Sequence, residues 1–180
     1  TVYVNGATAV TLVGGYDATI TDVQSLTVPS GPDAGDLIGT STLTTVDLTG
    51  LQNEAWITAN ALTTLNLSDN PDIDPVVSIE NTAPSSGLTI NLANEDATVK
   101  DVNRTIGGTL TIVSNGAGGT NEIHVNFPDV TALALSGEIP LTLVPVDLTS
   151  VTTITATGLF AGVLGDDQWA TLTSIDASES

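Results

Sequence analysis

Apolar and polar residues alternate along most of this chain, and the alternation recurs in one repeated phrase. It reads Leu43-Thr44-Thr45-Val46-Asp47-Leu48-Thr49-Gly50, then Leu62-Thr63-Thr64-Leu65-Asn66-Leu67-Ser68-Asp69, then Gly87-Leu88-Thr89-Ile90-Asn91-Leu92-Ala93-Asn94. It returns around Leu110 and Ile112, Val130 and Leu133, Val151 and Ile154, and Leu172 and Ile175, with a weaker copy around Leu26. A period of two marks a strand with one buried face. A Gly, Ser, Asn or Asp follows each phrase and predicts a turn. About half a repeat later a second apolar cluster appears: Ala55-Trp56-Ile57, Val76-Val77-Ser78-Ile79, Ile123-His124-Val125 and Leu141-Thr142-Leu143-Val144.

The anchors Leu26, Val46, Leu65, Ile90, Ile112, Leu133, Ile154 and Ile175 are spaced 20, 19, 25, 22, 21, 21 and 21 residues apart. Two short strands per repeat with polar corners predict an all-β, parallel β-solenoid with coils of about 21 residues. One coil cannot bury its own apolar face; stacked coils bury a continuous one. The competing architecture is a β-sandwich, whose turn signals come at similar intervals but whose strands do not usually resemble one another. Residues 1–24 fit the phrase least and are expected to form an N-terminal cap or irregular first coil. Residues 25–180 then form one continuous solenoid. Short helical turns are admitted at residues 53–60, 93–102 and 166–172.

Composition narrows the picture. Of 180 residues, 41% are hydrophobic but only 3% aromatic, so the core must be aliphatic. Two cations, Lys100 and Arg104, stand against 21 acids, a formal net charge of −19. Nucleic acid and anionic membranes need clustered Lys and Arg, so both are excluded as partners. No apolar run reaches the roughly 20 residues of a membrane-spanning helix, so no membrane insertion is expected. Cys is absent, which removes disulfides and thiol chemistry. The scarcity of lysine points to an extracellular, cell-surface location. The chain starts at Thr1 and lacks Met, and is expected to be a processed product or a piece of a longer protein.

The stretch Leu62 to Ile73 resembles the leucine-rich-repeat consensus L-x-x-L-x-L-x-x-N-x-x-I, with Asn70 at the Asn position. From Ser25 to Ser180 the Thr-, Ala- and Gly-rich phrases resemble the repetitive regions of bacterial surface-layer proteins and calcium-dependent secreted adhesins. That resemblance implies a structural, self-assembling or adhesive role. The calcium nonapeptide G-G-x-G-x-D of those families is missing; Asn115-Gly116-Ala117-Gly118-Gly119 comes nearest.

Candidate chemistry is sparse. Asp69, Asp72 and Asp74 alternate in one turn, a pattern of oxygen ligands suited to Ca2+, while a solvated acidic corner is the plainer reading. Asp33 and Asp36, Asn94 to Asp96, and Asp166 with Asp167 are weaker versions. Asn66 and Asn91 are expected to stack as a ladder on the outer face. His124, the only histidine, is expected to point outward, and no nucleophile motif accompanies it, so no catalysis is expected. Lys100 and Arg104 are candidates to grip an anionic sugar or to pair with Asp96, Asp101 or a neighbouring subunit. Trp56 and Trp169 are the candidate anchors for a glycan or protein partner, Trp169 also as a cover for the last coil. Leu172 and Ile175 lie in a final strand expected to continue into further structure or to self-associate. The sequence thus predicts a structural surface segment with Ca2+ as candidate cofactor. The alternatives are a carbohydrate-active β-helix and a leucine-rich-repeat-like binding module.

Overall fold

The repeated phrase folds as a strand wherever the computed structural model describes it. The described residues are 1–25, 40–70, 74–117, 119–158 and 169–179. Fourteen strands run through them. They are β1 (Val2–Val4), β2 (Ala9–Val13), β3 (Asp17–Asp22), β4 (Thr45–Thr49), β5 (Glu54–Thr58), β6 (Thr64–Asn70) and β7 (Val76–Ile79). They continue as β8 (Ser85–Asp101), β9 (Ile106–Asn115), β10 (Asn121–Asn126), β11 (Val130–Gly137), β12 (Leu141–Asp147), β13 (Thr153–Thr157) and β14 (Ser174–Glu179). No α-helix occurs among the described residues, and no helix is long and apolar enough to cross a membrane.

Every pairing is parallel, which a β-sandwich does not allow. Sheet A carries β1-β3-β5-β7-β8-β10-β12, and sheet B carries β2-β4-β6-β8-β9-β11-β13-β14. β8 turns the corner and serves both sheets. The chain is therefore a parallel β-solenoid of about seven turns with coils of roughly 22 residues. Strands β1 to β3 join these same sheets, and the step from Val10 to its partner Val46 makes that coil the longest.

Residues alternate between a dry interior and the outer faces. Val46, Leu65, Ile90, Ile112 and Leu135 stack as one inward column of sheet B; Ile57, Ile79, Ala97, Val99, Ile123 and Val125 face inward from sheet A; all are at most 2% exposed. Residues 53–60 and 93–102, where helical turns were admitted, form β5 and the second half of β8. Their inward Ala55, Ile57, Ala97 and Val99 fit the ladder, and the neighbouring coils supply the hydrogen bonds.

Among the described anchors the register corrects one spacing. Ile112 pairs with Leu135, and Leu133 pairs with Leu110, so that step is 23 residues, not 21. A slip of two residues keeps every side chain on its own face, so the pattern cannot distinguish the two alignments. Backbone geometry decides between them. Gly137 sits opposite Ser114, where a Cβ would lie 2.1 Å from the Ser114 carbonyl oxygen.

Corners follow two further rules. Gly14, Gly50, Asp69, Asn94 and Gly116 occupy one equivalent corner after sheet B strands, and all have positive φ. Only Gly, Asn and Asp adopt that conformation readily. At the return corner an apolar-x-x-apolar turn repeats: Ala59 to Leu62, Phe127 to Val130, Leu148 to Val151 and Trp169 to Leu172. In each, the last residue's N–H donates to the first residue's carbonyl oxygen at 2.9–3.3 Å. The threonine after the turn ties coils together: Thr63 Oγ1 donates to the Thr44 carbonyl, Thr152 to Thr131 and Thr173 to Thr152.

Candidate functional site

The two outer faces use their polar residues differently. On sheet B, Thr11, Asp47, Asn66 and Asn91 stand in register on β2, β4, β6 and β8. Thr11 Oγ1 donates to Asp47 Oδ2 at 2.9 Å, Asn66 Nδ2 donates to Asp47 Oδ1, and Asn91 Nδ2 donates to Asn66 Oδ1 at 2.6 Å. The expected Asn ladder is present, and Asp47 extends it.

On sheet A the outward positions bring together the only histidine, Lys100, one tryptophan and a knot of acids, and Arg104 lies in the turn after β8. Glu122 pairs with Asp96 across the ladder, and His124 lies two residues beyond Glu122 on the same face. One ligating atom from each of Asp96, Glu122 and His124 lies within 4.8 Å of the others. His124 Nε2 and Glu122 Oε1 are 3.1 Å apart. Asp96 Oδ1 is buried and receives no hydrogen bond from the described residues. Burial pushes the Asp96 carboxyl above its ordinary pKa; the charges of Glu122 and Asp74 push the same way, and His124 opposes them in part. Asp74 itself accepts the Thr98 hydroxyl at 3.0 and 3.2 Å.

Next to this cluster, Trp56, Ser78, Lys100 and Asn126 form another outward column. The Lys100 ammonium sits 5.7 Å from the Trp56 ring centroid, a cation–π distance. Ser78, between them in the column, is 1% exposed. Trp56, Lys100, Val102, Arg104, Asn126 and Asp147 line a groove of about 330 Å3. Arg104 does not pair with Asp96 or Asp101. Its guanidinium grips Asp129 at 2.7 and 3.3 Å and holds that carboxyl below its ordinary pKa through the hydrogen bond. Asp101 is committed elsewhere: it accepts the Ile106 N–H at 2.6 Å and the Thr105 hydroxyl at 3.3 Å, closing a corner.

The other singled-out residues are spread apart. Asp69 is exposed and holds the left-handed corner at φ 67°. Asp74 is exposed and bound to Thr98, and Asp72 lies outside the described residues, as do Leu26, Asp33, Asp36, Asp166 and Asp167. Among the described residues the group with three ligating side chains is Asp96, Glu122 and His124. Trp56 points outward and is half-buried. Trp169 occupies the inward corner position held by Phe127 and Leu148 in earlier coils, half-buried because no described coil lies above it. Its indole N–H is buried and finds no acceptor among the described residues. Ile175 continues the Ile154 column and is 54% exposed, and Leu172 is half-buried.

Sequence reasoning missed the sheet A cluster because its members come from separate repeats. The readable signal was Glu122-Ile123-His124, a carboxylate and an imidazole two residues apart on one strand face. No protein-family model, curated protein or solved structure matches the chain, so the fold and its side chains carry the functional reading.

Proposed function

We propose that this chain is a non-catalytic structural segment of an extracellular surface protein, a surface-layer, adhesin or fibre module that works by end-to-end association. The observation that carries this is the state of the two ends of the described stack. Ile175 on β14 is 54% exposed, while its column partner Ile154 is 2% exposed. At the other end the inward Val10 and Leu12 are half-buried, while their partners Val46 and Leu48 are at most 2% exposed. Among the described residues, β2 and β14 each present a parallel strand edge of sheet B with an apolar column behind it. Unpaired strand edges recruit further strands. A head-to-tail contact between β14 of one copy and β2 of the next buries both columns and repeats indefinitely.

The hydroxyl and amide groups of the repeated phrase support the same reading, since they serve coil-to-coil cohesion. The acidity and lysine scarcity support the extracellular address. Ca2+ at Asp69, Asp72 and Asp74 belongs to this proposal as a candidate stabiliser. Sedimentation velocity over a range of concentrations tests the reading. The expected result is reversible association that Ile175→Asp abolishes; a monomer at all concentrations sinks it. A fall in association on adding chelator supports the calcium part, and no response removes that part alone.

The groove beside Trp56 favours a second reading, a site for an acidic glycan. Stacking on Trp56 and a carboxylate held by Lys100 or Arg104 would bind it. Titration with oligogalacturonate, with loss of binding in Trp56→Ala, tests this; no binding at millimolar glycan rejects it.

A further inference from the structure

We propose that Asp96, Glu122 and His124 form a binding site for a first-row divalent transition metal ion of the Zn2+ type, which ties two neighbouring coils of sheet A together. Asp96 stands on β8; Glu122 and His124 stand on β10, hydrogen-bonded beside it. The ladder fixes the three Cα positions, so the ligand set is held by backbone rather than by a loop. Ligand atoms around a tetrahedral zinc lie roughly 3.3 Å apart, given bonds of about 2.0–2.1 Å. The His124 Nε2 to Glu122 Oε1 distance of 3.1 Å already meets that spacing. The remaining separations, at most 4.8 Å, close by rotation of the half-buried side chains. Coordination through Nε2 replaces the hydrogen bond to Glu122 and uses the neutral ring carrying its proton on Nδ1.

Asp96 supplies a second, independent reason. Its Oδ1 is shielded from solvent and receives no hydrogen bond from the described residues. A buried carboxylate oxygen without a donor is costly, and a cation resolves the cost. The Glu122 and Asp74 charges act on the same carboxyl, so the place is strongly attractive to a positive ion. The imidazole decides which ion. Ca2+ takes oxygen ligands in a shell of six to eight, whereas nitrogen together with carboxylates suits Zn2+ and its first-row neighbours. His124 and Glu122 keep 31% and 41% of their side-chain surface open, which leaves an entry path and room for a water ligand. The adjacent Trp56 groove carries less, because Asp101 and Asp147 in its walls oppose its two cations.

The test uses the full chain stripped with chelator and then titrated with Zn2+. His124 is the only imidazole, so its ring nitrogens report the site without assignment ambiguity. The expected result is a shift of the Nε2 resonance complete at one equivalent. Asp96→Asn and Glu122→Gln each weaken calorimetric binding at least tenfold, and Glu138→Gln, an exposed acid elsewhere, leaves it unchanged. Ca2+ at the same concentration leaves the ring resonances in place. An unmoved ring at saturating Zn2+ overturns the proposal in wild-type protein, whatever the variants do. Equal binding by folded Asp96→Asn overturns it as well, since the metal would then be held by surface carboxylates at large. Either failure leaves the end-to-end association untouched.

Discussion

The outer faces of sheets A and B are built by the same repeat on the same core, yet they spend their polar groups in opposite ways. Sheet B joins Thr11, Asp47, Asn66 and Asn91 into a chain of hydrogen bonds in which each side chain serves the next coil. Sheet A leaves Asp96 Oδ1 without a donor and sets Glu122 and Asp74 against it. The lesson is that a ladder position is neutral by itself. An amide both donates and accepts, so it stacks indefinitely; a carboxylate only accepts, so it must collect donors from its neighbours or needs a cation. Asp47 shows the first outcome, receiving from both sides, and Asp96 shows the second.

Damage to the shared core should abolish the comparison altogether. Ile90, buried in sheet B between Leu65 and Ile112, supports both faces. Ile90→Ala is expected to cost about 2–5 kcal/mol in denaturant unfolding. Loss of only one sheet's signal, with the other melting normally, would show that the faces do not share one core. Breaking the ladder comes next. Asn66→Ala leaves Asp47 and Asn91 each short of a partner and is expected to cost about 1–3 kcal/mol, read from the same denaturant curves. An unchanged midpoint would mean that water replaces the ladder without loss.

A smaller effect separates two carboxylates by pH. Burial alone would raise Asp22, but the Leu43 N–H, the Ser41 hydroxyl and the Thr42 and Gln24 N–H groups outweigh it and hold the carboxyl below its ordinary value. A lowered folded pKa gives stability that is present above the unfolded value of about 3.9 and is lost as pH falls below it. Asp96 has the opposite sign. Its raised folded pKa makes ionisation unfavourable at neutral pH, and that cost disappears as pH falls through the raised value. The melting temperature is therefore expected to rise on mild acidification and to fall below about pH 4. Relief of the −19 net charge adds to the rise. The difference between wild type and Asp96→Asn across the profile isolates the Asp96 part. Parallel profiles would remove it.

Much of the fold was legible because the repeat states it many times. Leu65-Asn66-Leu67 announces a half-buried strand, and its copies announce the stack. The Asn ladder was legible for the same reason, since Asn66 and Asn91 hold equivalent places in adjacent phrases. The alignment of Ile112 was not, because a two-residue slip leaves the alternation intact and a backbone contact at Gly137 decides it. The left-handed corner at Asp69, φ 67°, was not legible, because its acidic neighbours also suit a metal ligand. The Asp96, Glu122 and His124 group was hidden by distance in sequence. The step of 26 residues from Asp96 to Glu122 makes one long coil, and only the register places the two side by side. Trp169 followed its corner rule, but that rule becomes visible only when Ala59, Phe127 and Leu148 are seen in equivalent turns.

The contrast between a satisfied face and an unsatisfied one is tested most directly by the thermal melt of Asp96→Asn against wild type, in chelator-treated buffer near neutral pH. Replacing the carboxylate by an amide of the same shape removes the repulsion from Glu122 and Asp74 and supplies a donor. A higher melting temperature for Asp96→Asn is the result predicted here. A lower one would show that the Asp96 carboxylate already holds a stabilising partner, and that the two faces are alike.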